Sequence, residues 1–266
     1  MMLKAEKDKL LELAKQVARL GGEEALKYFR KTNLDVKSKS LKTFDPVTQA
    51  DLASEEVMTK LIKMARPDDS VIGEEKGATP GSSPYSWVLD PIDGTRAFIS
   101  GSPVWTVLVS LNKNNKPILG IIYQPFTREM FIGGLGVSQF IGDKCELETK
   151  SRYCPKVKDS ILFSTFPEIG TRGEQKAFNF VSKRAKLTRF GMDAYAFGLL
   201  AAGHIDIVIE AGLKNYDICA PIAVIEAAGG VVTNWAGEKI INGGKVLACG
   251  DKTLHAEVVS ILSGKG

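Results

Sequence analysis

The 266 residues are 44% hydrophobic and 25% charged, with 26 glycines and 11 prolines, a composition that excludes a disordered chain, a collagen repeat or a coiled coil. The 35 basic and 31 acidic residues leave a net charge of +4 spread along the chain, too mild a surplus for a nucleic-acid or membrane-surface protein. The length accommodates one large domain or two closely packed halves, so neither metals nor disulfides are needed merely to fold it.

Charges recur through MMLKAEKDKLLELAKQ, and nowhere do about 18 apolar residues run together. Neither a signal peptide nor a membrane span is expected, and the expected location is cytoplasmic. Leu10, Leu13, Ala14, Val17, Ala18 and Gly21 recur at the spacing of one helical face, continued by Ala25, Tyr28 and Phe29, so the first thirty residues read as a long amphipathic helix. A polar, lysine-rich stretch runs from Asn33 to Pro46. Thr48 then caps a second helix, with an expected buried face of Ala53, Val57, Leu61 and Met64, which ends before Pro67. Short apolar runs at Val71 and Ile72, Trp87 to Leu89, Val104 to Leu111, Ile118 to Tyr123 and Met130 to Ile132 read as sheet, with Asn112 to Pro117 a hairpin connection.

From Leu162 the pattern alternates: strand, helix (Glu174 to Lys186), strand, helix (Ala194 to Ala202), strand (Ile205 to Glu210), helix (Tyr216 to Ala228), strand (Val231 to Asn234), then Val246 to Cys249 and a terminal helix. That alternation belongs to α/β architecture. The loop-like stretch from Gly142 to Lys158 divides an α+β first half, residues 1–145, from an α/β second half, residues 146–266, within one expected domain.

Cys145, Cys154, Cys219 and Cys249 form no CxxC pair, and His204 and His255 are the only histidines, which argues against a zinc site and against a nucleophile paired with imidazole. Chemistry therefore falls to carboxylates and hydroxyls. The most informative segment is WVLDPIDGTRAFISG, Trp87 to Gly101, where an apolar strand runs into Asp90, Asp93, Gly94 and Thr95. Side chains at a strand end emerge where ligands bind in open sheets, and the Gly94 and Thr95 amides suit a phosphate. Two carboxylates beside an anion need a cation, and hard oxygen ligands suit Mg²⁺. An ordinary turn with a helix cap explains the same residues. Glu74 and Glu75 in VIGEEKG read equally as solvated loop charges, Asp51 as the partner of Thr48 in a capping box, and Asp217 as a helix N-terminal carboxylate.

Taken together, DPVTQAD, GEE, LDPIDGT and YDICAPIAVIEAAGG resemble, in order and spacing, the metal-dependent, lithium-sensitive inositol monophosphatase superfamily across nearly the whole chain. The resemblance implies a five-layer αβαβα sandwich, a homodimer, and two or three Mg²⁺ ions held by Glu74 (rather than Glu75), Asp90, Asp93, Asp217 and the Ile92 carbonyl. It further implies that Thr95, Asp51 and Glu74 are the catalytic groups, with Thr95 and Asp51 activating a water that attacks phosphorus in line, while the Gly94 and Thr95 amides hold phosphate oxygens.

RAFISGSPVW and RFGMDAYAFGLLAAGHIDIVIEAGLKNYD look most like the histidinol-phosphatase branch. Inositol phosphatases carry Asn-Phe and a His-x-x-Pro stretch where Ala97, Phe98 and the following residues stand, so the SGSP form departs from them. Histidinol phosphate brings an ammonium and an imidazole, which need acceptors. Glu210 and Asp193 are the expected amine partners, and Asp93 a further expected substrate contact; the bland readings are a strand-end surface charge for Glu210 and a helix N-cap for Asp193. Arg96 reads as a substrate contact, a partner for an acidic group across a subunit interface, or a solvated arginine. Tyr195 and Phe197 line an imidazole pocket or belong to the core, and His204 is structural or exposed. An inositol-1-phosphate phosphatase is the nearest alternative, followed by fructose-1,6-bisphosphatase or adenosine 3′,5′-bisphosphate phosphatase; a silent ligand-binding module that kept the fold is the alternative of another class. Nucleic-acid and membrane partners are not expected.

Overall fold

Two sheets alternate with three layers of helix in the computed structural model, which describes residues 2–32, 34, 36–38 and 46–264. The chain enters through α1 (Lys4–Leu26), whose Leu10, Ala14, Val17, Ala18, Gly21 and Ala25 are buried as their spacing predicts. The helix stops at Leu26, short of the expected thirty residues, and a turn continues to Arg30 in the left-handed region (φ 61°). β1 (Val36–Ser38) and β2 (Pro46–Thr48) pair antiparallel. The intervening residues 39–45, part of the lysine-rich stretch and of DPVTQAD, lie outside the described residues.

α2 (Gln49–Ala65) begins at Thr48 as expected but turns a different face inward. Ala50, Asp51, Ser54, Glu55, Met58 and Ile62 are buried, whereas Ala53, Val57 and Leu61 are half-buried and Met64 is 74% exposed. Apolar spacing misleads here because half of the buried stripe is polar: Ser54 donates to Gly21 O (2.9 Å), and both carboxylates accept from backbone amides.

The first sheet is built from β3 (Ser70–Gly73), β4 (Gly77–Thr79), β5 (Tyr85–Asp93), β6 (Thr106–Lys113), β7 (Lys116–Gln124), β8 (Glu129–Gly134), β9 (Val137–Ile141) and β10 (Glu146–Glu148), with the short α3 (Thr95–Ile99) after β5. Its order is β10-β9-β8-β7-β6-β5-β3-β4, antiparallel except for the β3–β5 pair. Asn114 and Asn115, at φ 50° and 60°, make the tight turn between β6 and β7 where a hairpin was expected. β10 falls inside the stretch read as loop, because its three residues are all exposed and offer no alternating apolar signal.

After a 3₁₀ turn (Val157–Asp159) come β11 (Ile161–Ser164), α4 (Arg172–Ser182), β12 (Leu187–Phe190), α5 (Tyr195–Ala201), β13 (Ile207–Leu213), α6 (Asn215–Ala227), β14 (Val231–Thr233), β15 (Gly244–Cys249) and α7 (Lys252–Leu262). The second sheet runs β12-β11-β13-β15-β14, with β11 parallel to both of its neighbours. The layers are α1 and α2, the eight-stranded sheet, α5 and α6, the five-stranded sheet, then α4 and α7, which is the expected αβαβα sandwich.

α6 lies between the two sheets and is apolar around its circumference, with every residue from Ile218 to Ile225 buried. It approaches the first sheet closely because glycines face it. A Cβ on Gly120 would lie 2.2 Å from Ala220 O, and one on Gly133 would lie 2.4 Å from Val224 Cα. Gly133→Ala therefore pushes on backbone and is expected to lower unfolding stability by about 1–3 kcal/mol, as overpacking does. A urea titration checks this, and an unchanged midpoint would show that α6 has room to retreat.

Candidate active site

β3 and β5 run parallel with Gly73 opposite Leu89, and Glu74 donates its N–H to Leu89 O (3.2 Å), so Glu74, just past the end of β3, lies beside Asp90 on β5. In a regular strand Asp90 and Asp93 would face opposite sides. A bulge corrects this: Asp90 pairs with Leu108 and Asp93 with Thr106, so three steps on β5 match two on β6. Pro91 sits within the bulge, where no ladder N–H is required. Asp217 comes from the first turn of α6. One carboxylate oxygen each from Asp90, Asp93 and Asp217 lie within 4.8 Å of one another.

Each of these groups is anchored. Asp90 Oδ1 accepts from Ile92 N (3.0 Å), Asp93 Oδ2 from Ala194 N (2.6 Å), and Asp217 Oδ2 from Lys214 N (2.7 Å). The Asp93 bond crosses from the first sheet to the start of α5. The reading of Asp217 as a helix N-terminal carboxylate thus holds alongside its place in the cluster. The Thr95 hydroxyl donates to the Ile92 carbonyl (3.1 Å). Gly94, at φ 81°, is the N-cap of α3, and a Cβ there would lie 2.9 Å from Asp193 Cγ, so glycine is required for conformation and for space.

Asp51 closes the predicted capping box: its Oδ2 accepts from Thr48 N (2.8 Å) and Thr48 Oγ1 (2.7 Å). Its Oδ1 is buried and has no hydrogen-bond partner among the described residues. Burial pushes its pKa up to about 6, opposed by the Thr48 bonds and assisted by the charge of Glu74. Asp90, 1% exposed, is pushed well above the carboxylate range by burial and then by Glu74, Asp93 and Asp217; burial, Asp193 and Asp217 do the same to Asp93. An all-oxygen donor set with an orphaned carboxylate oxygen beside it suits a hard divalent cation, whose charge would relieve this repulsion.

Beside the cluster lies an open cleft of about 590 Å³, lined by Asp93, Asp193, Glu210 and Asp217 together with Thr165, Phe166 and Phe197. Glu210 is no surface charge: it is 6% exposed, and its Oε1 accepts from Thr165 N (2.7 Å) and Oγ1 (2.9 Å). Burial raises its pKa to about 8 and that of Asp193 to about 6. Asp193 has φ 44° and does not cap α5, so its N-cap reading gives way to a position on the cleft wall. Arg96 is exposed, with its guanidinium 4.8 Å from the centre of the Phe166 ring and its charge acting on Asp193. Phe197 is buried and lines the cleft, whereas Tyr195 donates its hydroxyl to Glu129 (2.7 Å) and His204 is exposed.

Three residues here were not foreseen. Thr165 and Phe166 follow β11 and carry no local signal. Glu55, by contrast, stands four residues after Asp51 and so shares its helix face, a legible spacing.

A family model described as the inositol monophosphatase family matches residues 6–265. The chain is 38% identical over 268 residues to the bifunctional phosphatase IMPL2, chloroplastic, of Arabidopsis thaliana, covering 97% of this chain and 76% of that protein. It is 28% identical over 253 residues to a histidinol-phosphatase of Chlorobaculum parvum, covering 95% and 96%. Among solved structures, an inositol monophosphatase from Zymomonas mobilis matches with a TM-score of 0.85 at 32% identity, covering 96% of this chain and 98% of that one.

The raised carboxylate pKa values fix a sign for stability. At these groups the folded chain holds protons that the unfolded chain gives up, so in chelator their contribution to stability is greatest below the ordinary carboxylate range. It falls as pH rises toward about 6 for Asp51 and Asp193 and about 8 for Glu210. The urea midpoint in chelator is expected to drop between about pH 5 and about pH 8, and Asp90→Asn is expected to raise it at the upper end. A midpoint that stays flat or rises would contradict the repulsion.

Proposed function

Because this chain belongs to the inositol monophosphatase family and is a metal-dependent phosphoric monoester hydrolase, we propose that it hydrolyses L-histidinol phosphate to L-histidinol and phosphate. The observation that carries this reading is the acidity of the cleft away from the three-aspartate cluster. Glu210 and Asp193 are two acceptors suited to an ammonium, and the Phe166 ring, 42% exposed, offers a face to an imidazole. Asp193, ionised above about pH 6, disfavours a second phosphate, as in fructose 1,6-bisphosphate or adenosine 3′,5′-bisphosphate. Inositol 1-phosphate is the second reading, since the buried Glu210 carboxylate also accepts from hydroxyls and the solved neighbour from Zymomonas mobilis is an inositol monophosphatase.

In this reading Glu74, Asp90, Asp93, Asp217 and the Ile92 carbonyl hold two or three Mg²⁺ ions. Ile92 O accepts one bond from Thr95 and keeps a second lone pair. When bound, Mg²⁺ supplies charge neutralisation at the phosphoryl group and lowers the pKa of water. The Thr95 hydroxyl, its proton committed to Ile92 O, offers lone pairs that orient the attacking water in line with the ester bond. Asp51, with a pKa near 6 and a free Oδ1, takes the proton at near-neutral pH. The amides of Gly94 and Thr95, at the start of α3 where helical N–H groups lack helical acceptors, hold phosphate oxygens. Arg96 shapes the lip of the cleft through Phe166 and Asp193. A homodimer and a cytoplasmic location complete the reading; the four cysteines are free thiols, which suits a reducing compartment.

Specificity constants for L-histidinol phosphate, myo-inositol 1-phosphate, fructose 1,6-bisphosphate and adenosine 3′,5′-bisphosphate, with Mg²⁺ and with chelator, test the assignment. Histidinol phosphate is expected to lead, with turnover abolished by chelator. Glu210→Gln should raise its KM about tenfold, the worth of one charged hydrogen bond, with a much smaller effect on kcat. Preference for the inositol ester, or an unmoved KM, would remove histidinol phosphate as the substrate.

A further inference from the structure

We propose that Glu55 is a positioning residue for Glu74: a buried carboxylate on α2 that clamps the turn after β3 and so sets where Glu74 points. The inference rests on the reading of Glu74 as a metal ligand. Glu55 is 1% exposed, and both of its oxygens are engaged by the turn, Oε2 accepting from Glu75 N (2.8 Å) and Oε1 from Lys76 N (2.8 Å). The Lys76 ammonium turns away to the exposed Glu56 (3.1 Å), so the two backbone amides are what satisfy the buried charge. A buried carboxylate is costly without such partners, and the turn must keep one shape to supply them.

The turn is short. β3 ends at Gly73 and β4 begins at Gly77, with these two glycines paired, so Glu74 is the first of three connecting residues. Its own N–H is tied to Leu89 O on β5, and the next two N–H groups are tied to Glu55. Glu74 is thereby fixed from the strand on one side and from the helix on the other. Gly73 leaves room for this arrangement, since a Cβ there would lie 2.2 Å from Glu55 Oε1. The charge of Glu74 is felt by Glu55, Asp51 and Asp90 alike, which places it between the helix and the cluster. Asp51 and Glu55, one turn apart on α2, then divide the work: Asp51 is the proposed base, and Glu55 holds the adjoining ligand in place.

Isothermal titration of chelator-stripped protein with Mg²⁺, thermal unfolding in chelator, and the Mg²⁺ dependence of phosphate release on Glu55→Gln test this. A glutamine keeps one acceptor and turns an NH₂ toward the other amide. The Kd for Mg²⁺ is expected to rise about 10–100-fold, as when a ligand's support is removed, while kcat at saturating Mg²⁺ falls far less. Lower thermal stability with an unchanged Mg²⁺ Kd would make Glu55 a structural residue and overturn the proposal. If Glu55→Gln does not fold, Glu55→Asp carries the test, retaining the charge at a shorter reach with an expected intermediate rise in Kd; an unchanged Kd there overturns the proposal equally. Glu74→Gln separates the two readings: if it leaves Mg²⁺ affinity intact, the ligand assignment fails, whereas if it weakens affinity and the Glu55 variants do not, only the positioning role fails.

Discussion

Mutual repulsion among Asp90, Asp93 and Asp217 is the constraint around which the rest of the structure is arranged. At separations of 4.8 Å or less, each ionised pair costs about 3 kcal/mol or more at an effective dielectric of about 20. A fold that keeps such a group must overcome that cost in the free protein or bind a cation that removes it. Here backbone amides from Ile92, Ala194 and Lys214 each hold one oxygen of a clustered carboxylate, and one oxygen of each carboxylate lies within 4.8 Å of the others.

The layers serve that convergence. Parallel β3 and β5 deliver Glu74 and Asp90 to one edge, the bulge at Pro91 brings Asp93 onto the same side, and α6 delivers Asp217 from between the sheets. Gly120 and Gly133 let α6 sit close enough to do so. The bond from Ala194 N to Asp93 links the cluster to the segment that carries Asp193, so the three-aspartate cluster and the acidic cleft share one hydrogen bond. The cleft wall at Asp193 and the placement of the cluster are therefore mechanically connected.

Much of this was legible in the chain. Asp90, Asp93, Gly94 and Thr95 lie together in one strand-to-helix segment, and the capping box at Asp51 and the helix N-terminal place of Asp217 were visible as such; in both cases the helix-end role is compatible with a place in the site. The five-layer sandwich followed from the resemblance, and the alternation after Leu162 follows the observed order of elements. The reading failed where burial is polar. On α2 the inward stripe is Asp51, Ser54, Glu55, Met58 and Ile62, and apolar periodicity selected the neighbouring face instead. β10 was invisible because an exposed edge strand has no inside to mark. Thr165 and Phe166 reach the cleft only through the packing of β11 beside β13, a contact between residues about 45 positions apart that no local pattern encodes.

The most direct measurement is the number of protons released when chelator-stripped protein binds Mg²⁺, read calorimetrically in buffers of different ionisation enthalpy near about pH 6.5. If the clustered carboxylates hold protons until a cation replaces them, about one proton or more leaves each chain on binding, and the observed heat changes with the buffer. A heat independent of buffer, with Mg²⁺ bound, would mean the carboxylates were already ionised side by side, and the account of the site built on their repulsion would be wrong.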